Sequence, residues 1–277
     1  MKVEFHDLAE RILNRDTNYW GNLGYWQHSQ DYSSACSALA AELAKAVQLN
    51  HGSHIFDAGF GCGDQLLMWL KEYRVASIQG VNHSRSQTEL AKKRLHEQGF
   101  QQAADLIEFC SVADMAELKL SQSKDEINTV LALDCAYHFP SRFDFLCKSF
   151  TLLRPQGKIA LSDIVLADNK ASFYQSFILR SMLFLSRIPV QNIVRLALYQ
   201  KQLAEAGFSQ IKVRDISEHV FLPFNNWLTQ YKAEQGQEKA DSPWAWLKYD
   251  VTAKFLSWAY RNNILRYVIV SAEKSSQ

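Results

Sequence analysis

Residues 53–72 read SHIFDAGFGCGDQLLMWLKE: an apolar run, three glycines on alternate positions (Gly59, Gly61, Gly63), then the start of a helical pattern. A glycine carries no Cβ and accepts positive φ, so alternate glycines let a ligand come close to the backbone. The helix that follows offers free N–H groups at its start. Strand, glycine turn and helix in this order belong to open α/β sheets, whose ligands bind beyond the carboxyl ends of the strands. The spacing is GxGxG, whereas dinucleotide sites use GxGxxG, and the helix opens on Asp64, an acid badly placed to receive a pyrophosphate. The pattern favours a nucleoside without phosphates. A tight turn that holds no ligand is the plain alternative.

The rest of the chain repeats the alternation. Apolar runs predict strands at HIFDAG, 77–82, 105–112, 128–134 and 158–166, with helical periodicity over 64–73, 85–97 and 142–153 between them. Strands that alternate with helices imply a parallel sheet covered on both faces. After residue 166 the pattern changes to a helical, Phe- and Leu-rich stretch over 170–206. A strand-like 211–217 follows, then a long insertion with Trp227, Trp244, Trp246 and Trp258, and a last strand over 265–273. The organisation expected is an N-terminal helical lid (1–50), a ligand-binding core (51–166), and helical additions carrying the last two core strands (167–277).

Charge excludes several function classes. Lysine plus arginine number 30 and aspartate plus glutamate 29, so no strong field points to nucleic acid. Five scattered cysteines without a CxxC argue for reduced thiols in a cytoplasmic protein, and against disulfides or a zinc site. The N-terminus has no signal-peptide apolar core. The greasiest stretch, 177–198, is broken by Arg180, Arg187, Pro189 and Arg195, which does not suit a bilayer span.

In order, IFDAGFGCGD, IQGVNHSRSQTELAKKR, VADMAEL, VLALDCAYHF and LLRPQGKIALSDIVL resemble the class I S-adenosylmethionine-dependent methyltransferases. The likeness is to the small-molecule branch of sterol, tocopherol, quinone, sugar and cyclopropane-fatty-acid enzymes, and runs from about Tyr19 to the final strand. It implies a Rossmann-like, seven-stranded, mostly parallel sheet with helices on both faces and helical lid insertions. It also implies S-adenosylmethionine as methyl donor, S-adenosylhomocysteine as product, and no metal. Gly59, Gly61 and Gly63 would lie against the amino-acid and ribose parts of the donor, with Asp57 anchoring the amino group directly or through water. Asn82 stands where most relatives have an acid for the ribose, and an amide oxygen can still accept from a hydroxyl. Gln87 would sit near the ribose or the lid. Asp114 and Met115 would take the adenine, and Tyr19, Tyr25 or Trp26 would close over the donor. Asp134 would touch the donor's amino group or simply end its strand.

Methyl transfer from a sulfonium asks the protein mainly to position donor and acceptor. Where the acceptor needs a base, His138, just past the fourth strand, is the candidate, with Asp163 in the fifth strand to orient it. Phe173, Tyr174, Phe177, Met182, Leu183, Phe184, Phe221, Phe224 and Trp227 suggest an apolar acceptor chamber. Arg180 and Arg187 are possible head-group contacts, and the stretch 173–198 could touch a membrane surface to collect a greasy substrate. The expected reaction is O- or C-methylation of a small, lipophilic molecule. A nicotinamide dehydrogenase would need the missing GxGxxG and an acid after the second strand. A cofactor- or partner-binding protein without turnover is the remaining alternative.

Overall fold

The computed structural model describes residues 12–14, 18–112, 127–169, 171–235 and 243–275. Its centre is one seven-stranded sheet: β1 (His54–Ala58), β2 (Ser77–Asn82), β3 (Ile107–Phe109), β4 (Thr129–Leu133), β5 (Lys158–Leu166), β6 (Phe208–Asp215) and β7 (Leu265–Lys274). Their spatial order is β3-β2-β1-β4-β5-β7-β6. The first five are parallel, and β7 runs antiparallel between β5 and β6. β2 and β4 are buried along their whole length, and β4 accordingly reads as the apolar run VLAL. Strand order reverses between β1 and β4, and a crevice opens there at their carboxyl ends.

Helices α1 (Tyr32–Val47), α2 (Asp64–Lys71), α3 (Arg85–Glu97), α4 (Gln101–Asp105) and α5 (Arg142–Leu152) cover the sheet. α1 starts on a reciprocal cap between Asp31 and Ser34 and packs on β4, β5 and β7. The additions are α6 (Phe173–Leu185) and α7 (Leu196–Glu205) before β6, and α8 (Phe221–Gln235) and α9 (Pro243–Arg261) before β7. β2, α3 and β5 begin and end where periodicity places them. Three expectations change. The strand expected over 105–112 is only Ile107–Phe109, because α4 takes the residues before it. The helical 170–206 breaks into two at Pro189, which opens a short 3-10 turn, Val190–Asn192. β6 starts at Phe208, with a register irregularity between Ser209 and Lys212.

Candidate active site

The glycine turn leaves β1 in left-handed backbone, with φ of +80° at Gly59 and +57° at Gly61. A Cβ on Gly59 would stand 2.7 Å from Cys135 Sγ, so that glycine lets the turn pack on the end of β4. A Cβ on Gly61 would meet nothing within 4 Å. This is open space directly over backbone, as a ligand lying on the turn requires.

Asp57 is fully buried below the turn. Its carboxylate accepts from Gln65 Nε2 and Trp69 Nε1, both at 2.8 Å. Burial pushes its pKa up to about 7 against the pull of those two hydrogen bonds. Both donors stand on α2, so Asp57 fastens α2 to β1. Asp64, the acid at the start of α2, is held by Arg94 of α3 through two bonds of 2.8 and 2.9 Å. Arg94 also donates to the Cys62 carbonyl at 2.7 Å and stacks at 4.9 Å on the Tyr19 ring, while the Tyr19 N–H donates to Asp64. This knot, which ties the N-terminal segment to the glycine turn, is not legible in the sequence, because Arg94 of the basic KKR meets Asp64 from thirty residues further along the chain. Asn82, at the end of β2, donates to Gln87 Oε1 at 3.1 Å, joining two residues singled out by the resemblance.

At the end of β4 the backbone of Asp134 is left-handed, φ +53°, a costly conformation for a residue with a Cβ. Ser162 Oγ accepts its N–H. The carboxylate accepts from Tyr137 Oη (2.8 Å) and Tyr267 Oη (2.5 Å) on one oxygen, and from the Leu23 N–H (2.7 Å) on the other. Burial again lifts the pKa to about 7 against those bonds. His138 follows in a 3-10 turn, Ala136–His138, its N–H bonded to the Cys135 carbonyl and its ring 4.5 Å from Tyr137.

A cavity of about 440 Å³ lies over these strand ends. Tyr19, Cys62 and Gln87 line the end beside the glycine turn, and Asp134, Tyr137 and His138 line the floor. The roof is apolar: Met182, Leu183 and Leu185 of α6, Phe224 of α8, and Leu247, Val251 and Phe255 of α9. Trp20, Asn22, Leu23 and Tyr32 also line it, and the sequence reading missed the last three. Among the described residues no group of three His, Cys, Asp or Glu could hold a metal ion, and no helix is long and apolar enough to cross a membrane.

Four expectations are corrected here. Asp163 does not line the cavity. It is wholly buried, bonded to Arg142 Nη1 (3.1 Å), Tyr199 Oη (2.8 Å) and the Ile164 N–H, and burial raises its pKa despite the Arg142 charge. Its neighbour Ile164 does face the cavity, and alternation along a strand sends Asp163 to the other face. Tyr25 is also absent from the lining; its hydroxyl bonds Gln27 and its ring meets His219 edge-on. Trp26 packs on Trp227, so only Tyr19 of the three lid aromatics faces the cavity. Of the expected chamber residues, Met182, Leu183 and Phe224 line it. Phe221 and Trp227 join the core packing, while Phe173, Tyr174, Phe177 and Phe184 lie exposed on the outside of α6. Asp114 and Met115 lie outside the described residues.

The reversed strand order, the turn with open space over Gly61 and the cavity beside it fit a nucleoside-type donor. Fold and site together define a class I S-adenosylmethionine-dependent methyltransferase. The chain belongs to the mycolic acid cyclopropane synthetase family, whose model matches residues 7–251. It is 31% identical over 219 residues to erythromycin 3''-O-methyltransferase of Saccharopolyspora erythraea, covering 77% of this chain and 70% of that protein. It is 26% identical to 27-O-demethylrifamycin SV methyltransferase of Amycolatopsis mediterranei, covering 78% and 74%. In fold it is similar to the cyclopropane synthase MmaA2 of Mycobacterium tuberculosis, with a TM-score of 0.74 at 16% identity over 96% of this chain and 93% of the other. The chain is thus an enzyme that methylates a small-molecule acceptor, and the reading without turnover is set aside.

Proposed function

We propose that the acceptor is lipophilic, that it enters beneath α6 and α9, and that its methylated atom is oxygen or carbon at the floor of the cavity. The observation that carries this is the lining itself: an apolar roof of Met182, Leu183, Leu247, Val251 and Phe255 over a floor whose polar groups gather at the end of β4. S-adenosylmethionine supplies an already activated methyl group, so the chain's work is to hold the acceptor, exclude water and receive a proton where one must leave. The glycine turn takes the amino-acid and ribose parts, with Asp57 behind it and Asn82 and Gln87 beside the ribose. Tyr19, pinned by Arg94 and Asp64, covers the donor. His138 stands at the floor as the base or as the group that orients the acceptor. No step in this reading calls on a metal.

The outside of α6 supports a transient contact with a membrane surface. Phe173 is 90% exposed, Phe184 82% and Leu185 64%. Leu185 also lines the cavity, so the exposed apolar face runs into its mouth. Residues 169–204 contain Arg180, Arg187 and Arg195 and no acid, which suits an anionic surface.

The deciding experiment gives the protein methyl-labelled S-adenosylmethionine with an extract of its source cells, then partitions the label. Label in the organic layer is the expected result. Label confined to precipitated polymer would show that the cavity has been misread.

A further inference from the structure

Resting on that reading, we propose that Asp134 is the group that receives the proton, and that the acceptor is an alcohol or phenol, so the product is a methyl ether. Asp134 is the carboxylate at the cavity floor, the place the sequence suggested for Asp163. One of its oxygens takes both tyrosine hydroxyls, and the other takes only the Leu23 N–H, which leaves that second oxygen room to accept from a ligand. The donors come from three separate elements: the turn after β4, β7 and the N-terminal segment. They hold the side chain in one orientation and the backbone in its left-handed strain.

The charge of the lining narrows the acceptor. Among the described lining residues the basic side chains are Lys248 and His138. Lys248 sits 6.0 Å from the Tyr249 ring at the roof. A phosphate or carboxylate head would face Asp134 without the cluster of cationic donors such groups take. A hydroxyl needs only an acceptor for its hydrogen, and Asp134 is one. The titratable groups around Asp134 are Tyr137 and Tyr267, bonded to it, His138 on the same floor, Cys135 next in the chain, Tyr32 and Cys36 of α1 behind, and Asp163, whose charge acts from the other face of β5. Their environment leaves the carboxyl with a proton affinity close to neutrality, where a general base works best.

In the step, the acceptor's O–H bond breaks and its proton passes to the Asp134 carboxylate. The oxygen forms a bond to the methyl carbon as the carbon–sulfur bond breaks, and the electron pair stays on sulfur, giving neutral S-adenosylhomocysteine. The proton then leaves to solvent. His138, on the same floor, is left the task of orienting the acceptor.

The test uses the labelled organic products made from the cell extract. Label that survives mild alkali and is released by hydriodic acid is a methyl ether, the expected result. Label released by mild alkali is an ester, and label resisting both reagents is on carbon or nitrogen; either overturns the alcohol assignment while leaving the methyltransferase reading intact. No label in the organic layer removes the lipophilic acceptor, and the alcohol assignment that rests on it. Asp134→Asn is expected to lower turnover about 100-fold or more, with S-adenosylhomocysteine affinity within about threefold. A parallel loss of affinity would make Asp134 a donor-binding residue, and unchanged turnover would remove it from the reaction. If Asp134→Asn fails to fold, Tyr267→Phe serves instead. Loss of a hydrogen bond to the charged form raises the Asp134 pKa, so the acid limb of the turnover profile must move to higher pH. A limb that stays in place refutes the assignment.

Discussion

Asp57→Asn tests how the fold treats a carboxylate that has neutral donors and no cation. In the folded chain the Asp57 pKa is about 7, against an ordinary aspartate value of 3.8. Three pKa units at about 1.4 kcal/mol each amount to about 4 kcal/mol. The sign follows from which state holds the proton. Between those two values the folded chain binds it and the unfolded chain does not, so this stability is complete below about pH 4 and is lost as pH rises through 7. Between pH 5 and pH 8 the share lost is about 3 kcal/mol. Asparagine does not titrate, and it fits the site. Its oxygen can accept from Trp69 Nε1, and its amide can donate to Gln65 once the Gln65 amide is turned over.

Urea unfolding of the cofactor-free proteins at pH 5 and pH 8 is the assay. The variant's stability relative to wild type should improve by about 3 kcal/mol between the two pH values, while both retain the slope that comes from Asp134. A difference independent of pH, or one favouring wild type at pH 8, would refute the view that Asp57 is desolvated and uncompensated. The same variant examines the anchor role. With both oxygens already bonded by α2, S-adenosylhomocysteine affinity should fall less than about tenfold; a hundredfold loss would mark a charge-assisted contact with the ligand.

The other sites give sharper separations. Gly61→Ala should cost about 1–2 kcal/mol in unfolding, the penalty of left-handed backbone, yet weaken S-adenosylhomocysteine more than about tenfold by calorimetry, because its Cβ enters the ligand's space; unimpaired binding would move the donor off the turn. His138→Ala should keep donor affinity within a few-fold while turnover drops about 100-fold, and unchanged turnover would remove His138 from the site. Arg142→Met strands the Asp163 carboxylate and should lower unfolding stability by about 3–5 kcal/mol without changing donor affinity; a loss of affinity instead would return Asp163 to the active site. The wild-type chain should co-sediment with phosphatidylglycerol vesicles and the Phe177→Ser/Phe184→Ser variant should not, whereas a wild type that stays in the supernatant ends the membrane reading.

The frame of the fold was legible because its strands are buried on both faces. Strands such as β4 and β5 appear as mainly apolar runs, and β2, α3 and β5 could be bounded to the residue. The same burial hid the faces. In IALSDIVL every residue is small, apolar or bonded, so nothing in the string tells that Ile164 meets the cavity and Asp163 meets Arg142. α6 gave a similar difficulty: it is apolar nearly all round, so its period announces a helix but not which phenylalanines turn outward. Tyr267 could not be read at all. It stands 133 residues from Asp134 and reaches it only because β7 inserts antiparallel beside β5.

The four buried acids of the described core divide by partner. Asp64 and Asp163 each meet an arginine, Arg94 and Arg142. Those pairs fasten outer parts of the molecule: the N-terminal segment to the glycine turn, and α5 with Tyr199 of α7 to β5. Asp57 and Asp134 have only neutral donors, and they end the two strands that flank the crevice where strand order reverses. An arginine beside a carboxylate lowers its pKa and commits the negative charge to a structural partner. Neutral donors fix the carboxylate's position but leave its charge uncommitted, at the cost in stability that Asp57→Asn measures. Among the described residues no arginine lines the cavity itself; Arg94 stays behind Tyr19 and Cys62. Of the two acids at the crevice, Asp134 alone faces the cavity, which makes it the one able to exchange a proton with what binds inside.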